Sequence, residues 1–142
     1  VESVLTRNGG PFGCVIVKHG VIVGRGKNSV TTQNDPTAHA EVMAIRDACT
    51  RLGTFQLTDC ELYTSCEPCP MCLGAIYWAR PRTVYYASTK SDAASIQFDD
   101  QFIYEELALS HEQRSIPFIQ LTPNDYTQPF DLWRTTQDKV EY

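Results

Sequence analysis

The sequence predicts an α/β fold, a three-layer α/β/α sandwich around a mixed, mainly parallel five-stranded sheet. Two observations carry this. Short runs rich in β-branched residues alternate with segments of helical apolar spacing, in the order ββαβαβ(α)αβα, and strands that alternate with helices imply parallel crossovers. The chain also has 142 residues, 42% of them hydrophobic, with no repeat, low-complexity tract or linker, so residues 1–142 read as one domain with enough chain for a core.

Each element has its own signal. Residues 1–7 lack the basic start and long apolar stretch of a signal peptide and read as the last turns of a helix that begins before this sequence. Gly9-Gly10-Pro11 ends it. Residues 12–18 and 21–26 are strand-like, and His19-Gly20 between them is a two-residue hairpin signal, with Gly ready for positive φ. Residues 27–37 are polar and end in Asn34-Asp35-Pro36-Thr37, a turn that runs into a helix start. From residue 38 to about 52, Val42, Ile45, Ala48, Cys49 and Leu52 recur at helical spacing, and Gly53 is the stop. Residues 60–64 form the third strand. Residues 69–79 make a mostly apolar, buried helix halted by Arg80-Pro81, and residues 83–87 the fourth strand. Residues 88–97 are a loop or short helix, and residues 99–109 an amphipathic helix. Residues 116–121 are the fifth strand and residues 128–140 the final helix.

Charge narrows the function classes. The net charge is −5, and Lys and Arg are scattered with no run of them. A protein that grips a long nucleic acid usually carries a basic face, so this argues against a polynucleotide partner and suits a small neutral ligand. No apolar run approaches the roughly 18 to 20 residues that span a bilayer, so no membrane partner is expected. A cytoplasmic chain is the default, where six cysteines argue for metal or free thiols rather than disulfides.

Three of those cysteines fall in Tyr63-Thr64-Ser65-Cys66-Glu67-Pro68-Cys69-Pro70-Met71-Cys72. A helix beginning near Cys69, with Pro70 in its first turn, brings the sulfurs of Cys69 and Cys72 out on one side. There the helix dipole favours thiolate, the form that binds metal. Two thiolates do not fill a tetrahedral zinc site. His19 is a turn residue, and His111 lies in the polar segment Ser110-His111-Glu112-Gln113-Arg114. His39 stands at the mouth of the first large helix, with Glu41 two residues later. Such a histidine alone is more often a surface or core residue than a ligand. A second helix N-terminus carrying paired thiols changes that, because helices that follow parallel strands start at the same edge of the sheet. One imidazole and two thiolates leave a fourth place for water, the mark of a catalytic site, and a carboxylate beside the metal, Glu41, can carry a proton.

Cys66-x-x-Cys69 is a second C-x-x-C, so a Cys66/Cys69 pair or an all-cysteine structural site competes with this set. Against it, Cys66 lies at a strand end, before the turn that brings Cys69 and Cys72 together, and four protein ligands leave Glu41 without a task. Cys14, Cys49 and Cys60 fall in apolar strands or helices and read as small buried hydrophobes.

His39-Ala40-Glu41 followed by Pro68-Cys69-Pro70-Met71-Cys72 matches H-x-E…P-C-x-x-C, the signature of zinc-dependent nucleobase deaminases. Residues 36–41 with 65–72 resemble the cytidine deaminase superfamily, in the branch shared by tRNA adenosine deaminases and bacterial guanine deaminases. The guanine deaminase branch is the better match, through Gly9-Gly10-Pro11-Phe12-Gly13, Asn34-Asp35-Pro36, Tyr77-Trp78, Phe98-Asp99-Asp100 and the terminal Glu141-Tyr142.

That resemblance implies a cytidine deaminase-like fold, one zinc ion on His39, Cys69 and Cys72, and hydrolysis of guanine at C2, releasing ammonia to give xanthine. Glu41 matches the proton shuttle, and Asp100 a second carboxylate that holds or protonates the departing amine. Asn28 matches a side chain that hydrogen-bonds the purine, and Phe12 an aromatic that stacks on it, with Trp78 adding to that wall. Ala40 and Cys69 offer backbone N–H groups. Tyr142 matches a C-terminal residue that closes the pocket, in relatives from the other subunit of a domain-swapped dimer, so exchange of about residues 125–142 in a homodimer is expected. Each has a plainer reading: Asp100 as a helix N-terminal charge, Asn28 as a loop amide, Phe12 as a core side chain, Tyr142 as a frayed end. The competing functions are deamination of tRNA adenosine, cytidine or guanosine, and a non-enzymatic zinc module.

Overall fold

In the computed structural model, which describes residues 1–142 with the exception of the Glu2 side chain, a short helix α1 (Glu2–Leu5) leads into a hairpin of β1 (Gly13–Lys18) and β2 (Val21–Lys27). His19 and Gly20 turn it with φ of 49° and 78°, the double positive φ of a type I′ turn. There follow α2 (Val30–Gln33), α3 (Ala40–Leu52), β3 (Cys60–Cys66), α4 (Pro70–Ala79), β4 (Thr83–Ser88) and α5 (Lys90–Ala94). The strand order is β2-β1-β3-β4. β1 pairs antiparallel with both β2 and β3, whereas β3 and β4 pair in parallel. The crossover through α3 does make β2 and β3 run the same way, but β1 lies between them. The sheet is therefore mixed, as expected, yet only one of its three ladders is parallel.

The core lies on the face covered by α3 and α4. β3 alternates strictly, with Cys60, Leu62, Thr64 and Cys66 buried between more exposed neighbours. Against them pack Cys14, Ile16, Leu57, Ile76 and Ala79 together with Ala40, Ala44 and Ala48. The buried stripe of α3 is thus its alanines, and Ile45, Cys49 and Leu52 are only partly buried. Small residues are required there because β2 supplies glycine opposite them. A Cβ on Gly26 would lie 2.0 Å from the Ala40 carbonyl oxygen and 2.5 Å from the Ala44 nitrogen. Helix and strand touch backbone to backbone, which fixes the height of the α3 N-terminus above the sheet.

Residues Val1–Gln101 form one compact unit and Phe102–Tyr142 a second. The second holds α6, which begins at the unit boundary (Gln101–Ala108), a 3-10 turn at His111–Gln113 and α7 (Gln128–Thr135). Two expectations are corrected here. Residues 116–121 are not a strand, so the sheet of the described residues has four strands rather than five. Pro117 explains it, since it has no N–H to give to a ladder and interrupts the apolar run. Arg114 instead places its guanidinium 5.0 Å from the centre of the Phe118 ring, on which His111 stacks. The final helix stops at Thr135 rather than residue 140. The hydroxyls of Thr135 and Thr136 bond back to the Asp131 and Leu132 carbonyls, and Asp138 has φ of 57°, outside any helix.

Candidate active site

Two helix N-termini make the site. Upstream of α3, the Asp35 carboxylate accepts hydrogen bonds from the Thr37 N–H at 2.8 Å and its hydroxyl at 2.7 Å, an Asx turn closed over Pro36. Those two bonds hold the Asp35 carboxyl below its ordinary pKa. The Ser29 N–H donates to the Ala38 carbonyl at 2.9 Å and ties this turn to the end of β2. His39 then sits at the N-cap of α3 in an extended conformation, its carbonyl accepting from the Met43 N–H. Its side chain does not cap the helix, which leaves the imidazole to point elsewhere. Cys69 occupies the corresponding position on α4, with Pro70 as the first helical residue and its own carbonyl accepting from Leu73.

His39 Nδ1 lies 3.5 Å from the Sγ of Cys69 and 3.5 Å from the Sγ of Cys72, and the three ligand atoms are all within 4.8 Å of one another. A tetrahedral zinc with bonds of ~2.3 Å to sulfur and ~2.0 to 2.1 Å to nitrogen has an N···S edge of about 3.6 Å. The donor set and its spacing therefore fit zinc. Electrostatics point the same way. A hydrogen bond from Cys72, with help from His39, brings the Cys69 thiol down to about 4. Cys72 is driven up by that same bond, by burial and by the charge of Glu41. One thiolate is easily held, and a second in the same buried space needs a cation. His39 is raised above its usual value, chiefly by its hydrogen bond to Cys69.

Glu41, buried in the first turn of α3, places Oε2 3.3 Å from the Cys72 Sγ, and its Oε1 accepts a hydrogen bond from the Thr64 hydroxyl at 2.8 Å. It stands beside the three ligands and is not one of them. Above the cluster opens a cavity of about 350 Å³, at the small end of the usual range for ligand sites. Phe12, Asn28, His39, Ala40, Glu41, Cys69 and Asp100 all line it, so it gathers most of the residues singled out from sequence. The Asn28 side-chain oxygen is held by the Gly10 and Val30 N–H groups, each at 3.4 Å, which turns its NH₂ to other acceptors. Asp100 is half-buried, and burial, then the nearby Cys69 charge, raises its carboxyl above the ordinary range.

Three further residues stand apart from the ligand group. Trp78 is 63% exposed on α4 and does not line this cavity. Tyr142 belongs to the second unit and is 71% exposed. Cys66 is outside the group of His39, Cys69 and Cys72 and is part of the cavity wall, where its thiol donates to the Thr89 carbonyl at 3.5 Å. Sequence reasoning missed Thr64, Glu67, Lys90 and Gln97. The last three line the cavity, and Phe98, quoted only as part of a motif, meets the Phe12 ring edge-on at 5.0 Å. Thr64 was detectable as the hydroxyl in an otherwise sulfur-and-leucine row on the buried face of β3.

Residues 2–88 match the family model described as the cytidine and deoxycytidylate deaminase zinc-binding region. The chain is 60% identical to guanine deaminase of Bacillus subtilis over 141 residues, which covers 99% of this chain and 90% of that protein. The X-ray structure of that protein superposes with a TM-score of 0.97 at the same identity and coverage. A solved guanine deaminase from Nitrosomonas europaea is 34% identical with a TM-score of 0.67, covering 70% of this chain and 58% of its own. The tRNA-specific adenosine deaminase of Aquifex aeolicus is 47% identical over 78 residues, 55% of this chain and 52% of that protein. The likeness in structure carries the fold class read from the sequence, a mixed sheet with helices on both sides.

Proposed function

The chain belongs to the cytidine and deoxycytidylate deaminase family of zinc-binding proteins, and from that premise we propose that it hydrolyses guanine to xanthine and ammonia. The observation that carries the substrate is the near-complete likeness to a guanine deaminase, in which both the zinc-binding half and the remainder of the chain take part. Likeness to the tRNA-acting enzyme is confined to about half of each chain.

His39, Cys69 and Cys72 would hold a zinc ion, which would supply a Lewis acid that makes water a ready nucleophile near neutral pH. The chain's own residues do the rest. Phe12 gives the purine an aromatic face, and the Asn28 NH₂ donates to an acceptor on its edge. The Ala40 and Cys69 N–H groups, at the two helix N-termini, favour negative charge that develops on the ring. Glu41 takes one proton from the attacking water and gives it to the ring nitrogen as the C2–O bond forms. It then moves the second proton from the new C2 hydroxyl to the amino group, which leaves as ammonia as its C2–N bond breaks. The role needs a carboxylate close to the metal but off it. Asp100, which lines the cavity and whose carboxyl is raised above its ordinary range, holds the departing amino group. A cavity with these fixed donors rejects bases that leave them unpaired, by roughly 10⁴-fold or more.

The test is ammonia release from zinc-supplied protein across guanine, adenine, cytosine, guanosine, cytidine and tRNA adenosine. Turnover of guanine roughly 10⁴-fold above bases that leave the fixed donors unpaired is expected. Turnover of tRNA adenosine or cytidine with none of guanine would overturn the substrate while leaving the chemistry in place.

The same reading includes a homodimer, with about residues 125–142 exchanged and Tyr142 closing a partner's cavity. What supports it is apolar surface that single chains rarely leave to water. Tyr77 and Trp78 on α4 are 75% and 63% exposed, and Phe130 and Leu132 on α7 are 71% and 61% exposed. Light scattering is expected to give twice the chain mass, and removing residues 125–142 to abolish turnover. A monodisperse, active monomer would sink this part. Among the described residues no helix is long and apolar enough to cross a membrane, and all six cysteines are free, which suits a reducing cytoplasm.

A further inference from the structure

We propose that Thr64 is a positioning residue for the reaction, a hydroxyl built into the sheet to aim the Glu41 carboxylate, and this rests on Glu41 being the proton carrier. Thr64 lies in the middle of β3, paired with Cys14 on one side and Tyr86 on the other, and its side chain points to the face covered by α3. The other buried positions of that strand are Cys60, Leu62 and Cys66. Packing alone asks for Val there, the same shape without a polar atom and a better strand former. A buried hydroxyl persists only with a partner, and this one has Glu41 Oε1 at 2.8 Å, with both residues over nine-tenths buried.

The bond divides the labour of the carboxylate. Oε1 is fixed to β3, an interior strand of the sheet, and Oε2 is left on the side of the ligand cluster. The other side-chain donor to this carboxylate is the Cys72 thiol, at 3.3 Å. When Cys72 serves as a metal ligand it is a thiolate and has no proton to donate. Thr64 then remains as the side chain that holds Glu41, and Oε2 is the oxygen free to receive and release a proton. Without the hydroxyl, Glu41 keeps its place on α3 but loses the constraint on its terminal torsion, which is broad and soft in an unbonded carboxylate. The expected cost falls on the chemical step and not on purine binding, because Thr64 does not line the cavity.

The experiment compares Thr64→Val and Thr64→Ser in the full, zinc-loaded chain. Thr64→Val is expected to keep a full complement of zinc and to lower kcat for guanine by roughly 10- to 100-fold, the size of one lost hydrogen bond to a charged group, with KM within about twofold. Thr64→Ser, which restores the hydroxyl, is expected to recover most of kcat. A second reading needs no turnover. In the metal-free chain, the Tm shifts of Thr64→Val and Glu41→Ala should not add, because each removes the same contact. Wild-type kcat in Thr64→Val, an equal defect in Thr64→Ser, loss of zinc from Thr64→Val, or additive Tm shifts would each overturn the proposal. If Glu41→Gln retains activity, the proton-carrier reading fails instead, whatever Thr64→Val does.

Discussion

Replacing Glu41 by Gln is expected to lower kcat for guanine by about 10²- to 10⁴-fold, or about 3 to 5 kcal/mol of barrier, while zinc content stays at wild type. The substitution is nearly isosteric. Gln offers an oxygen to the Thr64 hydroxyl where Glu41 Oε1 now accepts at 2.8 Å, so the side chain keeps its seat. What it places toward the ligand cluster is an NH₂, which cannot take a proton from water. The three metal ligands are untouched, since Glu41 is not among them. Metal analysis and steady-state kinetics on one preparation check both halves. Retained activity would remove Glu41 as the proton carrier, and loss of zinc would show it to be part of the metal shell.

The second large effect is on folding. Gly26→Ala is expected to destabilise the chain by about 3 kcal/mol, the upper end for an overpacked core, and to remove zinc with it. The added Cβ would sit 2.0 Å from the Ala40 carbonyl oxygen and 2.5 Å from the Ala44 nitrogen, and both are backbone atoms of α3 that no rotamer change can clear. The helix must lift or tilt at the end that carries His39 and Glu41. Gly74→Ala is the control, because open space surrounds its Cβ position in the middle of α4. Urea unfolding of the two variants, with zinc content, separates them. A Gly26→Ala protein with unchanged stability and metal would show that the close contact of β2 with α3 does not set the site.

Much of the site was legible because metal chemistry admits few residue types. A histidine and two cysteines at two helix starts, with a glutamate beside them, are hard to read otherwise, and the structure brings all four together. The hairpin, α3, β3, α4 and β4 were likewise carried by local signals: His19-Gly20, the Gly53 stop, Pro70 at a helix start. The fold was less legible where strands must choose partners. Alternation of strands and helices does not say that β1 inserts between β2 and β3, which turns a mainly parallel sheet into one with a single parallel ladder. Residues 116–121 had strand-like composition, but Pro117 cannot donate to a ladder.

The sequence by itself singled out the candidate ligands His39, Cys69 and Cys72 and the carboxylate of Glu41 beside them, because these depend on residue type and on spacing within single turns of chain. Only the tertiary structure decided that β2 glycines seat α3 against the sheet, that Cys66, Lys90 and Gln97 wall the cavity, and that a β3 hydroxyl meets a helix carboxylate. These are contacts between residues 14 to 23 or more positions apart in the chain, such as Thr64 with Glu41 across 23. No local pattern encodes them, because they exist only once long-range packing has been settled.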